Sequence, residues 1–153
     1  MKGFLSSLVL LQAALWCTSA CADNIPSELR KSVYHFDLLD ATLSDGALRL
    51  VVNRPVVNQD VYKSMIRLGA CHPLWAIGPK GWGRAKIDRI EVVNSIQHQG
   101  LAFVGGRKSC AELGKINDVG NTKRDYFAAH TWVCVAGAPC RERRPGEVIS
   151  GDD

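Results

Sequence analysis

The chain has 153 residues, 46% of them hydrophobic and 22% charged, with a formal net charge of +4. That length and apolar content suit one folded domain with its own core and exclude a disordered or fibrous chain. A charge this small excludes the basic footprint of a nucleic-acid-binding protein.

Residues 1–22 read as an export signal. Lys2 supplies a short basic start, Phe4 to Trp16 is an apolar run, and Ala20-Cys21-Ala22 is a small-residue cleavage site ahead of Asp23. The run is too short for a committed transmembrane span. Cys21 after Ser19-Ala20 also fits a bacterial lipobox, with Thr18 standing where leucine is usual. Membrane attachment is expected only through a lipid on Cys21. Cleavage before Asp23 removes one positive charge, Lys2, and leaves 131 residues. The expected organisation is a signal at 1–22, one α+β domain at 23–140 and a loosely ordered tail at 141–153.

Ile25 to Arg30 predicts a short helical turn leading into Val33. The strongest local pattern follows, between Ser32 and Leu68. Asp45-Gly46 is a two-residue hairpin signal, because both positions of a type I′ turn need positive φ. With that turn Thr42 faces Arg49 and Asp40 faces Val51. One face then collects Leu39, Ala41, Leu43, Leu48, Leu50 and Val52, and the other is mostly polar. Two strands agree on one core face, and a one-residue slip would invert it. Tyr34, Phe36 and Leu38 fall on the opposite parity, which calls for a bulge or for cover on both sides.

Arg54-Pro55 ends the second strand. Asn58 is an N-cap, and Val57 with Tyr62 has the spacing of a hydrophobic staple. Val61, Met65 and Leu68, flanked by Tyr62 and Ile66, form an apolar stripe at helical period, with Gly69 expected to stop the helix. Gly78-Pro79-Lys80-Gly81-Trp82-Gly83 is a loop and lacks the pattern of a phosphate cradle. Trp82 reads either as a lid on the core or as an anchor for a partner. Ile87 to Asn94 and Leu101 to Val104 predict two strands, joined by a polar segment that carries Gln97 and His98. Ser109 to Glu112 has capping-box spacing for a short helix ending at Gly114. Lys115 to Asp125 reads as polar and turn-like. Thr131 to Val135 predicts an apolar strand at the centre of the sheet. Arg141, Arg143 and Arg144 cluster in the tail.

Four cysteines remain after the signal: Cys71, Cys110, Cys134 and Cys140. In an exported chain two disulfides are expected, and the favoured pairing is Cys71 with Cys110 and Cys134 with Cys140. Zinc is disfavoured because no C-x₂₋₄-C pair follows residue 22, and the redox motif C-x-x-C is missing. Four scattered histidines, without G-x-S-x-G or H-E-x-x-H, favour binding over catalysis.

The expected fold is therefore α+β: an antiparallel sheet of about four to five strands packed against one main helix and stapled by disulfides. The expected function is an exported, periplasmic or secreted module that binds another protein, as an inhibitor, an immunity protein or an envelope accessory protein does. No cofactor or metal is expected. The candidate contact residues are Trp82, Lys80, His98 and Gln97. The alternatives are a small-ligand binder or unrecognised hydrolase, and a structural envelope lipoprotein.

Overall fold

The computed structural model describes residues 24–117 and 121–149. Residues 1–22, expected to be an export signal, lie outside this range with Cys21, as do the last four residues. The fold is α+β, with a six-stranded sheet in sequence order from β1 to β6. The chain runs α1 (Ser27–Val33), a 3₁₀ turn (Tyr34–Phe36), β1 (Leu38–Ser44), β2 (Ala47–Val52) and α2 (Gln59–Ser64). A π-helical segment (Met65–Cys71) leads straight into α3 (His72–Ile77) and a 3₁₀ turn (Gly78–Gly81). Then come β3 (Arg89–Val93), β4 (Gln99–Val104), α4 (Gly106–Leu113), α5 (Thr122–Ala129), β5 (Thr131–Val135) and β6 (Arg141–Glu142).

The β1–β2 hairpin forms in the expected register. Asp45 has φ 49° and Gly46 φ 73°, and Thr42 pairs with Arg49 and Asp40 with Val51. The parity break is a bulge: the register shifts between Leu38 and Asp40, so Leu38 pairs with Val52. The extra residue, Leu39, leaves the core face and is 55% exposed. Tyr34 and Phe36 precede the strand, in the turn that follows α1.

The sheet is mixed rather than antiparallel, because β2 and β3 run parallel, with Ala47 opposite Arg89 and Val51 opposite Val93. The helical run between them carries the chain back to the end where β2 began, so β3 enters in the same direction. The backbone N–H groups of Asp88 and Arg89 donate to the Gly46 carbonyl at 2.7 and 3.2 Å and seat β3 against the hairpin turn.

One face of the sheet carries the core. Leu48, Leu50, Ile90, Val92, Leu101 and Phe103 pack there against Leu29, Val33, Tyr62, Met65, Ile66 and Trp82. The Cys71–Cys110 disulfide lies within this core, and Cys134–Cys140 closes the loop from β5 to β6. The other face is covered by its own side chains. The row Arg49–Glu91–Ala102–Trp132 crosses four strands. The Glu91 carboxylate is buried in it and accepts from Arg49 and Arg89, both at 2.7 Å. Burial of a lone carboxylate is costly, and two guanidinium donors offset it.

Several elements depart from the sequence pattern. α4 starts at Gly106, and Ser109 is a buried residue inside it rather than a cap. α5 begins within the stretch read as turn-like, since Phe127 is the only residue of this helix that is fully buried and a single anchor leaves little period. β5 is not central: β4 lies on one side and the two-residue β6 on the other. In the segment expected as a loose tail, Arg141 pairs with Val133, the Arg141 guanidinium grips the Glu147 carboxylate at 2.8 and 2.9 Å, and Ile149 is buried.

Candidate functional site

The helix that follows Asn58 begins as its sequence dictates. The Asn58 carboxamide oxygen accepts from the Val61 N–H at 2.9 Å, and Val57 and Tyr62 are both buried. It does not stop at Gly69. Pro73 explains why the helix widens instead. In a straight α-helix the Pro73 ring would press on the carbonyl four residues back, at Gly69. A π turn inserts one residue ahead of the proline and moves that carbonyl aside. Gly69 serves packing, because a Cβ there would meet Met65 Sδ at 3.1 Å and the Phe36 ring at 3.3 Å.

The extra residue rotates the apolar stripe. Tyr62, Met65 and Ile66 face the core, while Leu68, expected inside, is 55% exposed. The Leu68 carbonyl also loses its π-helical donor, since Pro73, five residues on, has no N–H. The Ser32 hydroxyl of α1 donates to it at 3.1 Å, which ties α1 to the widened turn.

These departures build an open groove of about 480 Å³ between α1 and α3. Leu68, Phe36 and Ile77 give it apolar surface, Ile77 being 48% exposed. His35 and His72 approach it from opposite elements, and the Glu28–Lys31 ion pair, at 2.9 Å, stands on its rim. So exposed a pair adds little stability. A second groove of about 410 Å³ shares His35 and Phe36 and continues toward Asp37, Arg54, Asp60 and Ser64. Asp37 itself has a left-handed backbone, φ 51°, where the chain turns from α1 into β1. The arrangement offers apolar contact with hydrogen-bonding groups at its edges, which is the chemistry of binding. Among the described residues no group of three or more His, Cys, Asp or Glu is placed to hold a metal ion.

The four residues picked from the sequence do not meet at one place. Trp82 is completely buried, its indole N–H donating to the Ala70 carbonyl at 2.7 Å. It covers the helical run from inside and presents nothing to a partner, so its place is that of the lid, not of the anchor. Arg107 holds the loop around it, with its guanidinium 5.6 Å from the indole ring and donating to the Pro79 and Gly83 carbonyls. Lys80 is exposed on that loop. Gln97 and His98 are exposed in the β3–β4 turn, on a different loop. The Gln97 side-chain oxygen already accepts from Arg49 at 3.2 Å.

The groove residues Leu68, Ile77, His35 and His72 escaped the sequence reading. The signal was present: apolar residues at Leu74 and Ile77 continue past Pro73, and a proline within a helical pattern marks a kink or a widened turn as well as a stop. Compared with protein-family models, curated proteins and solved structures, the chain matches none.

Proposed function

We propose that this chain is an exported module that binds a partner protein, taking an apolar side chain or short apolar segment of it in the groove between α1 and α3. The observation that carries this reading is the outward turn of Leu68 beside Ile77 and Phe36. A π turn is uncommon and is often found at functional positions. Here it spends an apolar residue on the surface. Covering the exposed halves of Leu68 and Ile77 would contribute about 1 kcal/mol each, enough for a pocket at the centre of an interface. The two disulfides and the leader-like residues 1–22 support export.

The test is capture from an envelope extract with wild type, Leu68→Asp, Ile77→Asp and, as a control on another surface, Lys80→Ala. The expected result is a partner that wild type and Lys80→Ala retain and the two groove variants lose, while all four melt alike. Undiminished capture by both groove variants refutes the reading.

A further inference from the structure

The two disulfides sit in different surroundings. Cys71 and Cys110 are both fully buried in the main core, with the Trp75 indole N–H bonded to the Cys110 carbonyl at 2.8 Å. Cys134 is buried as well, but Cys140 is only half-buried, at the edge of the sheet. The residues between them, Val135-Ala136-Gly137-Ala138-Pro139, are all exposed and carry no charge. We propose that Cys140 is a thiol–disulfide exchange site, at which a dithiol opens the Cys134–Cys140 bridge of the folded protein while Cys71–Cys110 stays closed.

Access argues for the site and for the direction of attack. Exchange needs a thiolate to reach one sulfur while the other leaves. Among the described residues Cys140 is the one cysteine that is not buried. The small, uncharged side chains of the loop neither shield it nor repel an incoming thiolate. The thiolate bonds to Cys140 Sγ, the Cys134–Cys140 bond breaks, and Cys134 leaves with the electron pair and takes a proton from water. The second thiol of the reagent then displaces Cys140. The dithiol ends as a disulfide and the protein as two thiols. Exposed bridges are the readily exchanged ones, and buried structural bridges resist reduction.

The bridge fastens the outer edge of the sheet. β6 has two residues, with Arg141 opposite Val133 and Glu142 opposite Trp132. The Arg141–Glu147 pair lies wholly within the segment after Cys140, so it does not tie β6 to β5. Cys134 belongs to the small apolar cluster with Val51, Val93 and Ala102, and Cys140 packs against that cluster beside Trp132. Opening the six-residue closure favours release of β6 by about 30-fold and leaves the edge of β5 unpaired. The core that holds Cys71–Cys110 is a separate cluster, on the other face of the sheet.

The experiment treats the oxidised full chain, without denaturant, with graded dithiothreitol, then traps free thiols with N-ethylmaleimide and maps them by peptide mass. Cys134 and Cys140 should be labelled at concentrations at least about tenfold below those that label Cys71 and Cys110. Glutathione, which has no second thiol, should leave its mixed disulfide on Cys140 and not on Cys134. Hydrogen exchange on the reduced protein should show protection of the β6 amides lowered by about 30-fold and that of β3 unchanged. Labelling of Cys71 and Cys110 together with Cys134 and Cys140, labelling only when the whole fold melts, a glutathione adduct on Cys134, or β6 protection unaltered by reduction overturns the assignment.

Discussion

Replacing Trp82 by alanine tests the core assignment most directly. A buried aromatic side chain removes about 150–250 Å² from water, which at roughly 25 cal/mol per Å² is about 4–6 kcal/mol. Alanine recovers part of that area, and relaxation of the cavity recovers more, so measured Trp→Ala losses fall near 3–5 kcal/mol. The indole N–H bond to Ala70 is lost too, and its carbonyl would be left inside the core without that donor. We expect a loss of about 4 kcal/mol. With an unfolding entropy of about 2.1 cal/mol/K per residue, a folded unit of this size should melt about 15 °C lower. Thermal unfolding by circular dichroism under oxidising conditions reads it. Trp82→Phe keeps most of the apolar body and removes the donor, so it should fall between the two. An alanine variant melting within about 3 °C of wild type would refute the reasoning, because a fully buried indole cannot be that cheap to remove.

The two disulfides should differ in weight. Closing 39 residues between Cys71 and Cys110 restricts the unfolded chain by about 4 kcal/mol, whereas the six between Cys134 and Cys140 give about 2 kcal/mol; melting of the two paired Cys→Ser variants checks the order. Tyr62 donates its phenol proton to Thr131 Oγ1 at 2.9 Å, since the Thr131 proton goes to the Phe127 carbonyl at 2.6 Å. Burial holds that phenol protonated well above its ordinary pKa; Tyr62→Phe should cost about 1 kcal/mol in urea unfolding. The Arg141 guanidinium and the Arg144 N–H lower the Glu147 pKa to about 2. A carboxylate whose folded pKa lies below its unfolded value stabilises the fold above pH 4.5 and loses that contribution as the pH falls toward 2. Protection of the β6 amides from hydrogen exchange should weaken across that window in wild type and stay flat there in Glu147→Gln.

The site was less legible than the hairpin, for reasons visible in single residues. Asp45-Gly46 and the alternation around it are local, so turn chemistry and parity specify the register without reference to the rest of the chain. Asn58, Val57 and Tyr62 specify a helix start in the same way. Leu68 is different. As a letter it completes a helical stripe, and only a widened turn removes it from the core. Trp82 was ambiguous for a similar reason, because two glycines beside a tryptophan permit either an outward or an inward ring, and the Ala70 carbonyl decides between them.

What the sequence by itself determined were the α+β class, the hairpin and its register, the cap of α2 and the favoured disulfide pairing. Each depends on contacts between near neighbours or on the small number of ways to pair four cysteines. Tertiary structure decided the parallel alignment of β2 and β3, the exit of Leu39 at the bulge, the seat of Trp82 and the π turn that opens the groove. These depend on how far the chain travels between partners and on which side chain reaches a vacant carbonyl, as Ser32 reaches Leu68 from 36 residues away. Periodicity along the chain carries no record of such distances.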